Sequence, residues 1–166
     1  MASDQLSMFE EPPAPIVRVA KPSSFNLTRT INGANQAVFD HWLIPVFVGA
    51  WMVGPQVQKE KVINLENKVR QGGEFCYAVN RAGIDVEYTG RYLELDIPSK
   101  LAFSWMDSRY PDCESQVTVE FQPADNRTRL KLTVKLAAEL YDQQDTVKKE
   151  WTSRCNALAD KFQFKK

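Results

Sequence analysis

The 166-residue chain is short of the residues that announce chemistry: it has three cysteines, one histidine and no surplus of either charge. Cys76, Cys113 and Cys155 are odd in number, far apart and without a CxxC spacing. That argues against a disulfide framework and suits a reducing, cytoplasmic setting. A lone histidine and no cysteine pair leave no ligand set for a structural zinc, and no cofactor is expected. With 21 basic and 21 acidic residues, the chain lacks the basic excess that direct nucleic-acid binding calls for. The opening MASDQLSMFEEPP is acidic and broken by proline, unlike a signal peptide. No stretch approaches the roughly 20 apolar residues that a membrane-spanning helix requires.

The greasiest stretch is HWLIPVFVGAWMVGP, His41 to Pro55. Proline removes a backbone donor and clashes with the preceding turn, so Pro45 breaks this run into two pieces. The pattern predicts two short helices, 34–43 and 46–52, stopped by Gly54-Pro55. Residues 1–22, with Pro12, Pro13, Pro15 and Pro22 among Glu10 and Glu11, read as a tail too polar to fold alone. Ile16 to Val19 is a candidate edge strand within it.

From residue 23 onward a domain runs to residue 166. Phe25, Leu27 and Ile31 mark a first strand ended by Asn32-Gly33. After the helix pair come VINLENKV, EFCYAV, IDVEYTGRYLELDIP, LAFSWM, QVTVEF and RLKLTVKL, six strands separated by turn residues. Their alternation means an antiparallel sheet with one dry and one wet face. In the longest, Val86, Tyr88, Gly90 and Tyr92 share one parity, whereas Leu93, Leu95 and Ile97 take the other. A one-residue slip flips every face, so a β-bulge is expected at Tyr92-Leu93. The period then changes: Val147, Trp151, Cys155 or Arg154, Leu158 and Phe162 form the stripe of a long amphipathic helix. That stripe is the cover for the dry face. One helix about 10 Å wide does not fill so broad a concavity, so a small-molecule cavity between helix and sheet is expected.

These segments resemble a known family. AVFDHWLIPVFVGAWMVGP is similar to the opening helix pair of the helix-grip (START-like, SRPBCC) superfamily, ending in Trp51, Gly54 and Pro55. GRYLELDIPSKLAFSW, through Gly90, Glu94, Pro98, Leu101, Phe103 and Trp105, resembles the signature of the branch named after the activator of the heat-shock protein 90 ATPase. EWTSRCNALADKF is similar to its last helix, although Glu150 stands where a glycine is usual. The resemblance implies an α+β helix-grip fold, a curved antiparallel sheet wrapped around the C-terminal helix. It also implies a role in binding an apolar ligand such as a lipid, or in serving a chaperone.

The aromatic positions then become candidates for lining a cavity: Trp51, Phe75, Tyr77, Tyr88, Tyr92, Phe103, Trp105 and Trp151, with Cys155 and Leu158 beside them on the helix. The alternative is that they simply fill the core. The three tyrosines would be its polar handles, since a buried phenol needs a partner. His41 reads as a satisfied surface position. No nucleophile and base, and no acid–base pair, stand out, so binding is expected rather than catalysis. In the tail, Gln5, Leu6, Ser7, Met8 and Phe9 are similar to the pentapeptide by which bacterial proteins dock to the DNA sliding clamp. Gln5, Leu6, Met8 and Phe9 are thus candidate partner-binding residues, either for that clamp or as part of an adaptor.

Overall fold

A computed structural model describes residues 23–55 and 59–163. The tail pentapeptide and the candidate edge strand at Ile16 lie outside the described residues. Strand β1 (Ser23–Ile31) is followed by α1 (Asn35–Asp40) and α2 (Pro45–Trp51). Six strands come next: β2 (Glu60–Asn67), β3 (Glu74–Arg81), β4 (Ile84–Asp96), β5 (Lys100–Asp107), β6 (Ser115–Ala124) and β7 (Arg127–Leu136). A 3-10 turn (Ala138–Gln143) leads into α3 (Gln144–Lys161). All neighbours pair antiparallel in the order β1-β7-β6-β5-β4-β3-β2. This is the curved-sheet, long-helix arrangement of the helix grip, and it is α+β.

The helix pair differs from expectation at its corner. Pro45 does not sit between the helices but opens the second, at its first turn, with Ile44 extended before it. There its missing N–H costs nothing and its fixed φ suits the helix. The first helix is shorter than its apolar pattern, because residues 41–43 leave it as turns.

Two bulges bend the sheet. The register between β4 and β5 shifts between Tyr92 and Glu94, which makes Leu93 the extra residue and leaves it exposed. The parity switch in the sequence marks this place. A second shift, between Val62 and Asn64 in β2, leaves Ile63 out of the ladder and 54 % exposed. Gly90 makes the bend in β4 possible: a Cβ there would lie 1.9 Å from the Ser104 carbonyl oxygen and 2.5 Å from the Phe75 ring.

The dry face of the sheet meets α3, α1 and α2 in one core. On β1, β6 and β7 its residues are mainly aliphatic: Leu27, Val117, Val119, Leu130, Leu132 and Val134, all buried. On β3, β4 and β5 they are aromatic. A smaller separate cluster, Leu136, Ala137 and Leu140 with Tyr110, Cys113 and Val147 against it, lies under the 3-10 turn.

Candidate functional site

The expected ring residues converge, but mostly on one another. Tyr88 stacks on Trp105 with centroids 5.1 Å apart, and Trp105 meets Trp151 edge-on at 5.1 Å. Phe75 packs on Tyr77 at 4.9 Å, on Tyr92 at 5.4 Å and on Phe103 at 5.7 Å. Trp51 meets Trp42 at 4.6 Å, and its indole N–H donates to the His41 carbonyl at 2.7 Å. Cys155 and Leu158 are fully buried on the same side of α3. Burial pushes the Cys155 thiol up to about 12, so it behaves as a small apolar group. His41 is satisfied, its Nδ1 lying 2.8 Å from the Ala37 carbonyl oxygen and its ring stacked on Phe47 at 4.2 Å.

The tyrosine hydroxyls find protein partners. Asn67 donates to the Tyr92 hydroxyl at 3.0 Å, and the Tyr77 and Tyr92 hydroxyls lie 3.5 Å apart. Burial raises both phenols above their usual range, so they stay protonated. Tyr88 donates to Glu60 at 2.5 Å. Burial, with the carboxylate of Glu60 beside it, likewise raises Tyr88.

Between helix and sheet lies a small void of about 30 Å³. The aromatic side chains of the sheet and of α3 pack on one another beside it. The void sits where the main core meets the small cluster under the 3-10 turn. Trp105, Val134 and Trp151 line it on the core side, and Leu136, Leu140 and Val147 on the other. Of the ten expected ligand-contacting residues, Trp105 and Trp151 border it. On the sheet's outer face a wide groove of about 930 Å³ runs over β2 to β5, lined by charged groups including Glu66, Lys68, Glu74 and Arg91. Phe75 is the one expected residue on its border.

A set of charged side chains that sequence reasoning passed over surrounds this end of the core. Arg109, in the β5–β6 turn, donates to both Asp107 oxygens at 3.0 and 2.6 Å, and those bonds hold its guanidinium charged. Glu150 of α3 lies 3.2 Å from Arg81 and 3.7 Å from Arg109, bridging strand, turn and helix. Glu60 is fully buried as a side chain, accepts from the Gly54 N–H at 3.0 Å, and lies 3.8 Å from Arg81. Arg154 is 1 % exposed. Its guanidinium lies 4.6 Å from the Trp151 ring centre, 5.1 Å from Trp105 and 5.2 Å from Tyr88. Its Nε donates to the Met52 carbonyl at 2.8 Å. The only sequence signal for Arg154 was a charged residue on an apolar helical stripe. Glu60 gave none, because its partners come from β3, β4 and the loop at Gly54.

A molecule larger than this void would enter it only by parting the layers around it. No helix among the described residues is long and apolar enough to cross a membrane, and the described residues contain no cluster able to hold a metal ion.

Among curated proteins no sequence matches this chain. Solved structures share its fold. One from Chromobacterium violaceum is 17% identical with a TM-score of 0.72, over 86% of this chain and 98% of that one. An AHSA1-like protein from Aeromonas hydrophila is 16% identical with a TM-score of 0.68, over 83% and 90%. An HSP90 activator from Plasmodium falciparum is 23% identical with a TM-score of 0.53, over 68% and 72%. Residues 34–163 match the family model described as "Activator of Hsp90 ATPase homolog 1-like protein", and the chain belongs to that family.

Proposed function

We propose that the protein binds a small apolar or aromatic molecule at the seam between its main core and the cluster under the 3-10 turn. The observation that carries this reading is the division of the core at that seam. One wall is Trp105, Trp151 and Val134; the other is Leu136 and Leu140 of the smaller cluster, with Val147 packed against both clusters. Glu150 of α3, on the rim of the void, is held by ion pairs to Arg81 and Arg109. Partly exposed ion pairs contribute only about 0.2–1 kcal/mol each, so releasing this rim is inexpensive beside opening a continuous core. Drug-sized ligands need roughly 300 Å³ or more, so binding and opening occur together.

A second reading has its own support. Ile44 and Val46 stand exposed at the corner between α1 and α2, Val46 at 74 %. Adjacent exposed apolar side chains suit contact with a protein. The family's association with the heat-shock protein 90 chaperone names the partner class.

Native mass spectrometry of the purified protein, followed by organic extraction and a thermal-shift screen of fatty acids, sterols and aromatic polyketides, separates the two. The expected result is a co-purifying small molecule, or stabilisation by several degrees with one chemical class. No bound mass and no shift would overturn the ligand reading and leave the Ile44–Val46 surface to be tested against the chaperone.

A further inference from the structure

Resting on that reading, we infer that the ligand is an acid: an alkyl or aryl carboxylate whose head is taken by Arg154 and the Trp151 indole. The inference starts from unmatched donors. Arg154 Nη2 and Trp151 Nε1 are buried and have no hydrogen-bond acceptor among the described residues. Burying a donor without an acceptor costs about 1–3 kcal/mol, and more for a charged group. Native proteins keep few such groups, and each calls for an explanation.

Arg154 is also the arginine at this end of the core without a counter-charge. Arg81 and Arg109 each have a carboxylate within reach. No carboxylate among the described residues lies within the 4.0 Å ion-pair distance of Arg154. Glu60, the buried acid nearby, is engaged by Tyr88 and the Gly54 N–H. The ring faces of Trp151, Trp105 and Tyr88 ease the burial of the cation through their quadrupoles. They do not supply an in-plane acceptor for an N–H.

Position completes the argument. Trp151 and Arg154 are three residues apart on α3, so they share a face of the helix. Arg154 does not itself line the void at the seam, but Trp151 and Trp105, whose ring centres lie 4.6 and 5.1 Å from its guanidinium, do. A molecule entering by the Glu150 side passes Asp107, Arg109 and Glu150 as well as the apolar wall, and would reach the Arg154 donors as the layers part. A planar guanidinium fork is the group best matched to a carboxylate.

The test is a matched pair of probes, 4-butylbenzoate and 4-butylbenzyl alcohol, titrated into the full chain and followed by tryptophan quenching and thermal shift. The acid is expected to bind at least about ten-fold tighter than the alcohol, the span between a charge-assisted and a neutral hydrogen bond. Arg154→Met should abolish that preference by weakening the acid far more than the alcohol, while Trp151→Phe should reduce it. If Arg154→Met does not fold, Arg154→Gln serves, removing the charge and the fork and abolishing the preference. Equal binding of acid and alcohol, or a preference that survives either Arg154 variant, would overturn the inference while leaving the ligand reading intact. Binding of neither probe, in a protein that also fails the broader screen, would remove both.

Discussion

The two halves of the sheet's dry face are built on different principles. Over β1, β6 and β7 the core is aliphatic, register-matched and free of buried charge: Leu27 faces Leu132, which faces Val119. Over β3, β4 and β5 it is aromatic and carries a buried glutamate, a buried arginine and paired phenols. Aliphatic packing asks only for the right volume, and many sequences meet that. The aromatic half asks for specific partners, because each buried polar atom must be matched. The first half is therefore built as scaffold, and the second is where the proposed binding would find its specificity.

That contrast can be broken most sharply at Glu60. Glu60→Ala strips the acceptor from the Tyr88 hydroxyl and the Gly54 N–H inside the core. Removing one member of a buried charged network costs about 3–5 kcal/mol, and urea denaturation should show a loss near the upper end. Leu132→Ala, at a fully buried position of the aliphatic half, is expected to cost about 3 kcal/mol through lost burial and the cavity left behind. It should leave binding of either probe unchanged. A larger loss at Leu132 than at Glu60, or altered probe binding, would erase the distinction between the halves.

The smallest expected effect is the most local. Glu150→Gln removes the acid shared by Arg81 and Arg109 and should cost only about 0.5–1 kcal/mol, as partly exposed ion pairs do. Its signature lies in amide exchange: residues 108–114 should exchange faster while β6 and β7 stay protected. Unchanged exchange in that turn would mean that packing, not the ion pairs, holds the mouth shut.

Much of the scaffold was legible in residue order. The strand alternation from Val117 to Leu136, the bulge beside Leu93 and the helical stripe from Val147 to Phe162 all rest on local period, which a single sequence carries. The Ile63 bulge was not legible, since Val62-Ile63 reads the same whether or not a residue is left over. The site was legible only in part. The rings could be named, but whether they enclose space or fill it depends on how two layers interdigitate. Arg154 and Glu60 escaped because a charge is rarely buried, and its burial here depends on partners brought in from other strands and loops.

The Ile63 bulge has a consequence for the protein in concentrated solution. Among the described residues β2 forms one margin of the sheet, and an open margin offers unpaired amides and carbonyls to any other chain. Flat, regular, apolar margins recruit neighbours into growing stacks; kinked ones do so poorly. By dropping one residue from the ladder between Val62 and Asn64, the strand spoils its own fit as a template. An irregularity that costs some pairing within one molecule thereby protects the population from aggregation.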